Sequence, residues 1–267
     1  MTELQEKLTN MLGWFHDFCV ENGLVYYAAY GTAIGIIRHK GFIPWDDDID
    51  VTMPRDDYNK LIKLANSVEM QGYLLNIPLE TEGYAYTYAK LVDPSTTVVE
   101  NIRYKMKTGI SIDIFPLDGA GNSLEQSLDR CRKIVKMNKF IAAKTCAILP
   151  RRKIHKNIAI ICARIIPEFI YSWRRIIRNL IDESSELSCN NCKYVVDYTD
   201  FANKPIEKAY FGAPKLYDFE NIKIYGPSNA DAYLKEIYGD YMELPPLEKR
   251  VSLHDKLYMD LKRGFRE

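Results

Sequence analysis

Between residues 48 and 54 the chain reads Asp-Ile-Asp-Val-Thr-Met-Pro. Alternation of polar and apolar residues predicts a strand with one buried face, and the closing proline suits the first turn of a helix. Alternate side chains of a strand share a face, so Asp48 and Asp50 point one way while Ile49 and Val51 point into a core. Two carboxylates held that close repel each other unless a cation lies between them. This stretch therefore requires a sheet with one face packed and the other face acidic. An exposed acidic turn would explain Asp46 to Asp48 alone, but not an aspartate set between Ile49 and Val51.

The elements around that strand follow from periodicity. Leu4, Leu8, Met11, Leu12, Phe15 and Phe18 recur at helical intervals over residues 3–20, with His16 packing on the same helix, and Asn22-Gly23 ends it. A strand is predicted from Val25 to Tyr30, then a short helix from Ala33 to His39 capped by Thr32. Gly41 to Trp45 reads as a loop and Arg55 to Val68 as a helix. Further strands are predicted at Tyr73–Ile77, Ala85–Val92 and Gly109–Phe115, the last closed by Pro116. Residues 124–149 and 154–187 carry long helical periodicity, with no strand signal until Tyr194–Tyr198. Short strands follow at Lys215–Phe219 and Ile222–Tyr225, then a helix from Asn229 to Tyr238 and a charged, loop-like tail beyond Pro245-Pro246. The fold class is α+β, a mixed sheet flanked by helices with an inserted helical subdomain. We divide it into a catalytic core (1–120), a basic helical insertion (121–193) and a C-terminal part completing the core (194–267).

Composition narrows the function classes. At 267 residues, 47% apolar and 27% charged with no net charge, the chain is neither disordered nor short of core. The neutral total hides an asymmetry: Arg130 to Arg178 holds 14 Lys/Arg and one acid, Glu168, a net of +13. Such a segment points to an anionic partner or an anionic membrane surface, or to a basic face that is simply solvated. The N-terminus, Met-Thr-Glu-Leu-Gln-Glu-Lys, is too acidic for a signal peptide, and Ile158 to Tyr171 is too charged to span a bilayer. A cytoplasmic protein, peripheral at the inner membrane face, is expected. Six scattered cysteines, with one CxxC at Cys189 and Cys192, read as reduced thiols rather than a zinc site or disulfide scaffold.

Three ingredients carry chemistry. Asp48 and Asp50 suit Mg2+ or Mn2+, whose coordination is completed by substrate phosphate oxygens. Upstream, Gly31 permits close backbone approach, and Thr32 at a helix start offers a hydroxyl and free amides to an anion. Asp113 lies between Ile112 and Ile114 in another strand, where a carboxylate needs a reason. A phosphate held between the helix start and a metal makes a phosphoryl-transfer site. Arg38, His39 and Lys40 are either a solvated helix end or cations that grip a diphosphate. Tyr84, Tyr86 and Tyr88 alternate with Lys90 in step, and Trp45 precedes the acids; they form a packed ladder or an open aromatic face.

The run Gly-Thr-Ala-Ile-Gly-Ile-Ile-Arg-His-Lys-Gly-Phe-Ile-Pro-Trp-Asp-Asp-Asp-Ile-Asp over residues 31–50 resembles the signature of the LicD family of bacterial phosphocholine transferases, which are related to the fukutin proteins. Ser111-Ile-Asp-Ile-Phe-Pro-Leu-Asp118 and Tyr238-Gly-Asp-Tyr-Met-Glu-Leu-Pro-Pro246 resemble its later blocks. The resemblance implies a nucleotidyltransferase-like fold, with Gly31-Thr32 as the glycine-hydroxyl element. It makes Asp48, Asp50 and Asp113 the catalytic, metal-binding carboxylates. It implies transfer of phosphocholine, or a similar phospho-alcohol, from a CDP-linked donor to a hydroxyl of a cell-surface glycan (lipopolysaccharide, teichoic acid or capsule precursor, lipid-linked where made), with release of CMP. Asp113 is then the expected general base. Gly31, Thr32, Arg38, His39, Lys40, Trp45, Tyr88, Lys90 and His254 are the expected substrate contacts, and nucleic acid is not an expected partner. The rivals are a true nucleotidyltransferase releasing pyrophosphate and a non-catalytic anion-binding module.

Overall fold

A computed structural model describes residues 1–149, 152–170, 172–199, 204–252 and 256–266. In chain order its helices are α1 (Glu3–Glu21), α2 (Tyr30–Ile34, continued by a π-helical turn over Gly35–His39), α3 (Arg55–Ala65), α4 (Leu124–Thr145), α5 (Ile154–Ile165), α6 (Trp173–Ser184) and α7 (Ala230–Tyr238). Its strands are β1 (Tyr27–Ala28), β2 (Ile49–Pro54), β3 (Leu74–Asn76), β4 (Ala89–Val92), β5 (Thr97–Glu100), β6 (Lys107–Thr108), β7 (Ser111–Gly121), β8 (Tyr194–Val196), β9 (Ile206–Glu207), β10 (Lys215–Phe219), β11 (Ile222–Gly226) and β12 (Lys256–Asp260). The arrangement is the expected α+β class.

The main sheet runs β1-β2-β7-β4-β3, with β8 and β9 joined to it through β7. Strands β2 and β7 are parallel and the other pairs antiparallel. Register decides the site. Asp50 stands opposite Asp113 on the β2–β7 ladder, and Asp113 opposite Lys90 on the β7–β4 ladder. In-register partners face the same way, so Asp50, Asp113 and Lys90 form a row across three strands. The alternate residues Ile49, Val51, Ile112, Ile114 and Leu91 are fully buried in a core with Leu8, Leu12 and Phe15 of α1. At roughly 1.5–3 kcal/mol for each buried Ile, Val or Leu, a one-residue slip of β2 would expose Ile49 and Val51 and bury Asp48 and Asp50 in their place.

Several boundaries differ from the sequence reading. The strand expected at Val25–Tyr30 pairs only at Tyr27–Ala28, because Tyr30 already opens α2. Thr32 is thus inside the helix instead of capping it. The expected strand Ala85–Val92 begins at Ala89, so Tyr84, Tyr86 and Tyr88 precede it. Pro116 does not close β7: the β4 ladder stops at Ile114, so no strand there asks for an N–H at Pro116, and β8 takes up pairing from Asp118. The helical run 154–187 is two helices separated at Pro167. The tail beyond Pro246 is not all loop, since β12 pairs with β5; β5 and β6 themselves were not anticipated.

Behind the sheet, Arg55 at the start of α3 holds Asp118 of β7 with two hydrogen bonds of 2.7 Å. Both residues are buried, and Ser184 of α6 receives a third contact at 3.4 Å. This pair ties the parallel strands to the helical segment. That segment has its own core of Cys131, Ile134, Ile141, Trp173, Ile177 and Leu180. Cys189 and Cys192 are both buried.

Candidate active site

Chain turns at the ends of β2 and β7 bring five acids together. Asp50 is half-buried at the edge of a cleft, and its carboxyl is pushed well above the usual carboxylate range, first by burial and then by the charges of Asp48, Asp113 and Asp46, with Lys90 opposing. A carboxylate flanked by three others and one ammonium lacks positive charge. The donor set is hard oxygen throughout, which fits a divalent cation of the Mg2+ or Mn2+ kind. Among the described residues, the three acids with oxygens mutually within 4.8 Å are Asp46, Asp47 and Asp48, while Asp48, Asp50 and Asp113 do not close to that spacing together. Asp47 is held by Lys256 at 2.7 Å.

Asp113 accepts from Ser111 Oγ at 3.3 Å and pairs with Lys90 Nζ at 3.2 Å. Lys90, buried, also pairs with Glu100 at 3.1 Å and lies 4.5 Å from the centre of the Tyr86 ring. Tyr86 donates to the other oxygen of Glu100. Lys90 therefore works as an internal counter-ion that fixes Asp113, with its stem and head enclosed by tyrosines.

Thr32 is buried, and its hydroxyl accepts from the backbone N–H of Asp50 at 2.9 Å. It positions the acidic strand from behind, so the free hydroxyl expected at a helix start is already used. Gly31 lets Asp46 approach: a Cβ there would lie 2.6 Å from Asp46 Oδ2. Arg38 donates to the carbonyls of Tyr241 at 2.6 Å and Glu243 at 3.5 Å, and to His39 Nε2 at 2.9 Å. Burial lowers the His39 pKa, and Arg38 lowers it further. Lys40 is exposed at the helix end in a left-handed conformation, φ 55°. Neither His39 nor Lys40 lines the cavities described next. His254 lies outside the described residues.

Two cavities meet at Asp48 and Tyr88, which line both. The larger, about 820 Å3, is a cleft bounded by Gly31, Arg38, Trp45, Asp50 and Tyr88, together with the loop after α7. The smaller, about 270 Å3, reaches Lys90, Glu100, Ser111, Asp113 and Lys256. Asp113, the expected general base, and Asp50, an expected metal ligand, thus border different cavities. Six acids border the cleft, Asp46, Asp48, Asp50, Asp197, Asp240 and Glu243, against Arg38 and Lys249. The aromatic rings are less open than expected. Arg250 lies 5.5 Å over the Trp45 ring, and Tyr88 packs against Phe115 at a tilt, their ring centres 4.4 Å apart.

Asp46, Tyr30, Asp197, Thr199 and Asp240 border the cleft without having been singled out in the sequence. Asp197 accepts from Tyr30 Oη at 2.7 Å and from Thr199 Oγ1 at 2.6 Å. Its signal was available: like Asp48, it sits at the mouth of an apolar strand, β8. The loop residues are carried by Arg38, whose partners are main-chain carbonyls that no side-chain pattern reveals.

Comparison with known proteins agrees with these blocks. The LicD/FKTN/FKRP nucleotidyltransferase domain matches residues 23–153. The chain is 28% identical over 261 residues to the lipopolysaccharide cholinephosphotransferase LicD of Haemophilus influenzae, covering 95% of this chain and 96% of that protein. It is 30% identical over 121 residues to mannosyltransferase regulator 4 of Saccharomyces cerevisiae, covering 42% of this chain but 10% of the yeast protein.

Proposed function

The chain belongs to the LicD family, and from that premise we propose that it is a transferase moving phosphocholine, or a similar phospho-alcohol, from a CDP-linked donor to a glycan hydroxyl of the lipopolysaccharide type. The observation that carries the reading is the pair of cavities meeting at Asp48, because a two-substrate transfer needs two approaches to one phosphorus. The donor diphosphate occupies the larger cleft. The acceptor hydroxyl reaches the same point from the smaller pocket. A divalent cation held by Asp48 and Asp50, with Asp46 or Asp113 completing the set, would neutralise charge on the diphosphate.

The chain's own residues do the rest. Asp113, kept in place by Lys90 and Ser111, takes the proton from the attacking hydroxyl. The new bond forms between that oxygen and the phosphorus bearing the alcohol; the bond to the bridging oxygen breaks, and its electron pair leaves with CMP. The acids of the cleft attract a quaternary ammonium, and the Trp45 and Tyr88 rings offer apolar walls. Arg38 holds the loop after α7 against the cleft, so its effect on the donor is through that loop.

The test is to incubate the protein with Mg2+, a panel of CDP-alcohols and glycan acceptor, following CMP. Acceptor-dependent CMP release, greatest with CDP-choline, is the expected result. Release of pyrophosphate from a nucleoside triphosphate instead would make the chain a nucleotidyltransferase. Trp45→Ala should narrow the preference for CDP-choline over CDP-ethanolamine by about 0.5–2 kcal/mol. No change would remove Trp45 from choline recognition.

A further inference from the structure

Helix α5 is built inside out. A helix on the surface of a water-soluble protein turns its apolar stripe to the core and its polar face to solvent. On α5 the inward side holds Ile160 and Ala163 together with two polar residues, Asn157 and Arg164. Asn157 donates to the Leu149 carbonyl at 2.8 Å and Arg164 to the Cys146 carbonyl at 2.9 Å. The outward side holds Ile154, Ile158, Ile161 and Ile165, spaced i, i+4, i+7 and i+11, which is one face of a helix. They are 78%, 53%, 46% and 76% exposed. The apolar surface continues past the helix end through Phe169 and Ile170. The neighbouring α6 is ordinary by contrast: Trp173, Ile177 and Leu180 are buried, and Arg174, Arg175 and Arg178 are exposed.

The charge around this face selects what covers it. The segment Arg130–Arg178 around this helix carries a net of +13, and Lys153 and Lys156 are exposed at the start of α5. A second copy would bring the same charge to the contact and repel it. The sole acid of the segment, Glu168, is paired with buried Lys144 at 3.5 Å, and Lys144 also grips the Ile166 carbonyl at 2.6 Å. Apolar residues outward with cations around them match a surface that is anionic outside and hydrocarbon within.

We propose that α5 and the turn through Ile170 lie in the interface of an anionic phospholipid bilayer, the isoleucines among acyl chains and the lysines and arginines among lipid phosphates. No described helix is long and apolar enough to cross a membrane, so the contact is peripheral. This goes beyond the transfer reading and does not depend on it.

The test uses the full chain with vesicles of phosphatidylcholine alone or mixed with phosphatidylglycerol. Cys162, beside the stripe, is exposed, while Cys19, Cys131, Cys189 and Cys192 are buried and Cys146 is half-buried, so with Cys146→Ser an environment-sensitive fluorophore can be placed on Cys162. Co-sedimentation is expected only with the anionic vesicles, weakening as salt rises, with a blue shift of the fluorophore. Ile158→Glu combined with Ile161→Glu should cut partitioning about tenfold or more while leaving the melting temperature and turnover of a water-soluble acceptor unchanged. Lys156→Gln combined with Arg174→Gln should weaken binding to anionic vesicles alone. Equal binding to neutral vesicles, or anionic binding indifferent to the isoleucine changes, would overturn the proposal. So would concentration-dependent dimerisation without vesicle binding, which would make a second copy the occupant.

Discussion

The sheet face of β2, β7 and β4 and the outer face of α5 break the same rule in opposite directions. In the sheet, Asp50, Asp113 and Lys90 are charged groups taken out of water; on α5, four isoleucines are left in it. Each inversion costs free energy in the isolated chain, and each is offset only by something the chain meets. On the readings proposed above, that would be a cation and a charged substrate for the sheet and an apolar boundary for the helix. The contrast also separates two kinds of buried charge within one strand. Asp118, seven-tenths of the way along β7, has a two-pronged arginine partner, whereas Asp50 faces other acids. A paired charge is architecture, and a crowded unpaired one is a place for a ligand.

The largest effect is expected at Asp50. Asp50→Asn should cut turnover on the order of a thousandfold, since metal-assisted charge stabilisation supplies several kcal/mol. In metal-free buffer it should leave the melting temperature unchanged or raise it, because carboxylate repulsion is relieved. Near-normal turnover with Mg2+ would put Asp50 in the same class as Asp118.

Asp118→Asn should do the reverse, costing about 3 kcal/mol of unfolding free energy by leaving Arg55 buried without its full partner. Denaturant titration measures this, and turnover per folded molecule should hold. Lys144→Met tests the helical side. Losing its bonds to the Ile166 carbonyl and Glu168 should cost about 2 kcal/mol and hasten proteolytic cleavage near residues 166–170. An unchanged cleavage rate would mean that the α5 face holds its geometry without that anchor.

The smallest effect lies beneath the sheet, where His16 Nδ1 meets Tyr26 Oη at 2.9 Å. Burial holds the His16 pKa below its ordinary value, with Asp17 partly opposing. The unfolded ring takes its proton near pH 6.5 and the folded ring only at lower pH, so acidification through that window costs stability. His16→Gln should flatten this part of the stability profile. A profile unchanged by the substitution would leave the acid sensitivity to other groups.

Local pattern made much of this legible. The alternation of Asp48 to Met53 gave the face on which both acids lie, and the spacing of Leu4 to Phe18 gave the helix that packs behind them. The short strands expected at Lys215–Phe219 and Ile222–Tyr225 pair as a hairpin, the second one residue longer than expected. Short-range signals failed where a partner distant in sequence was decisive. Thr32 looked like a helix cap because threonine before an apolar run often is one; its real partner is the Asp50 amide, 18 residues away. Lys256 to Asp260 looked like loop because its charges hide an alternation that only β5 completes.

The sequence by itself determined which acids share one face of β2, because carboxylate spacing and strand period are properties of neighbours along the chain. Tertiary structure alone decided how those residues meet. The register that sets Asp50 beside Asp113 and Asp113 beside Lys90, and the cavities that join at Asp48, depend on strands distant along the chain. The outward turn of α5 was equally hidden. Periodicity shows that a helix has an apolar face, but only packing against α4 decides whether that face looks in or out.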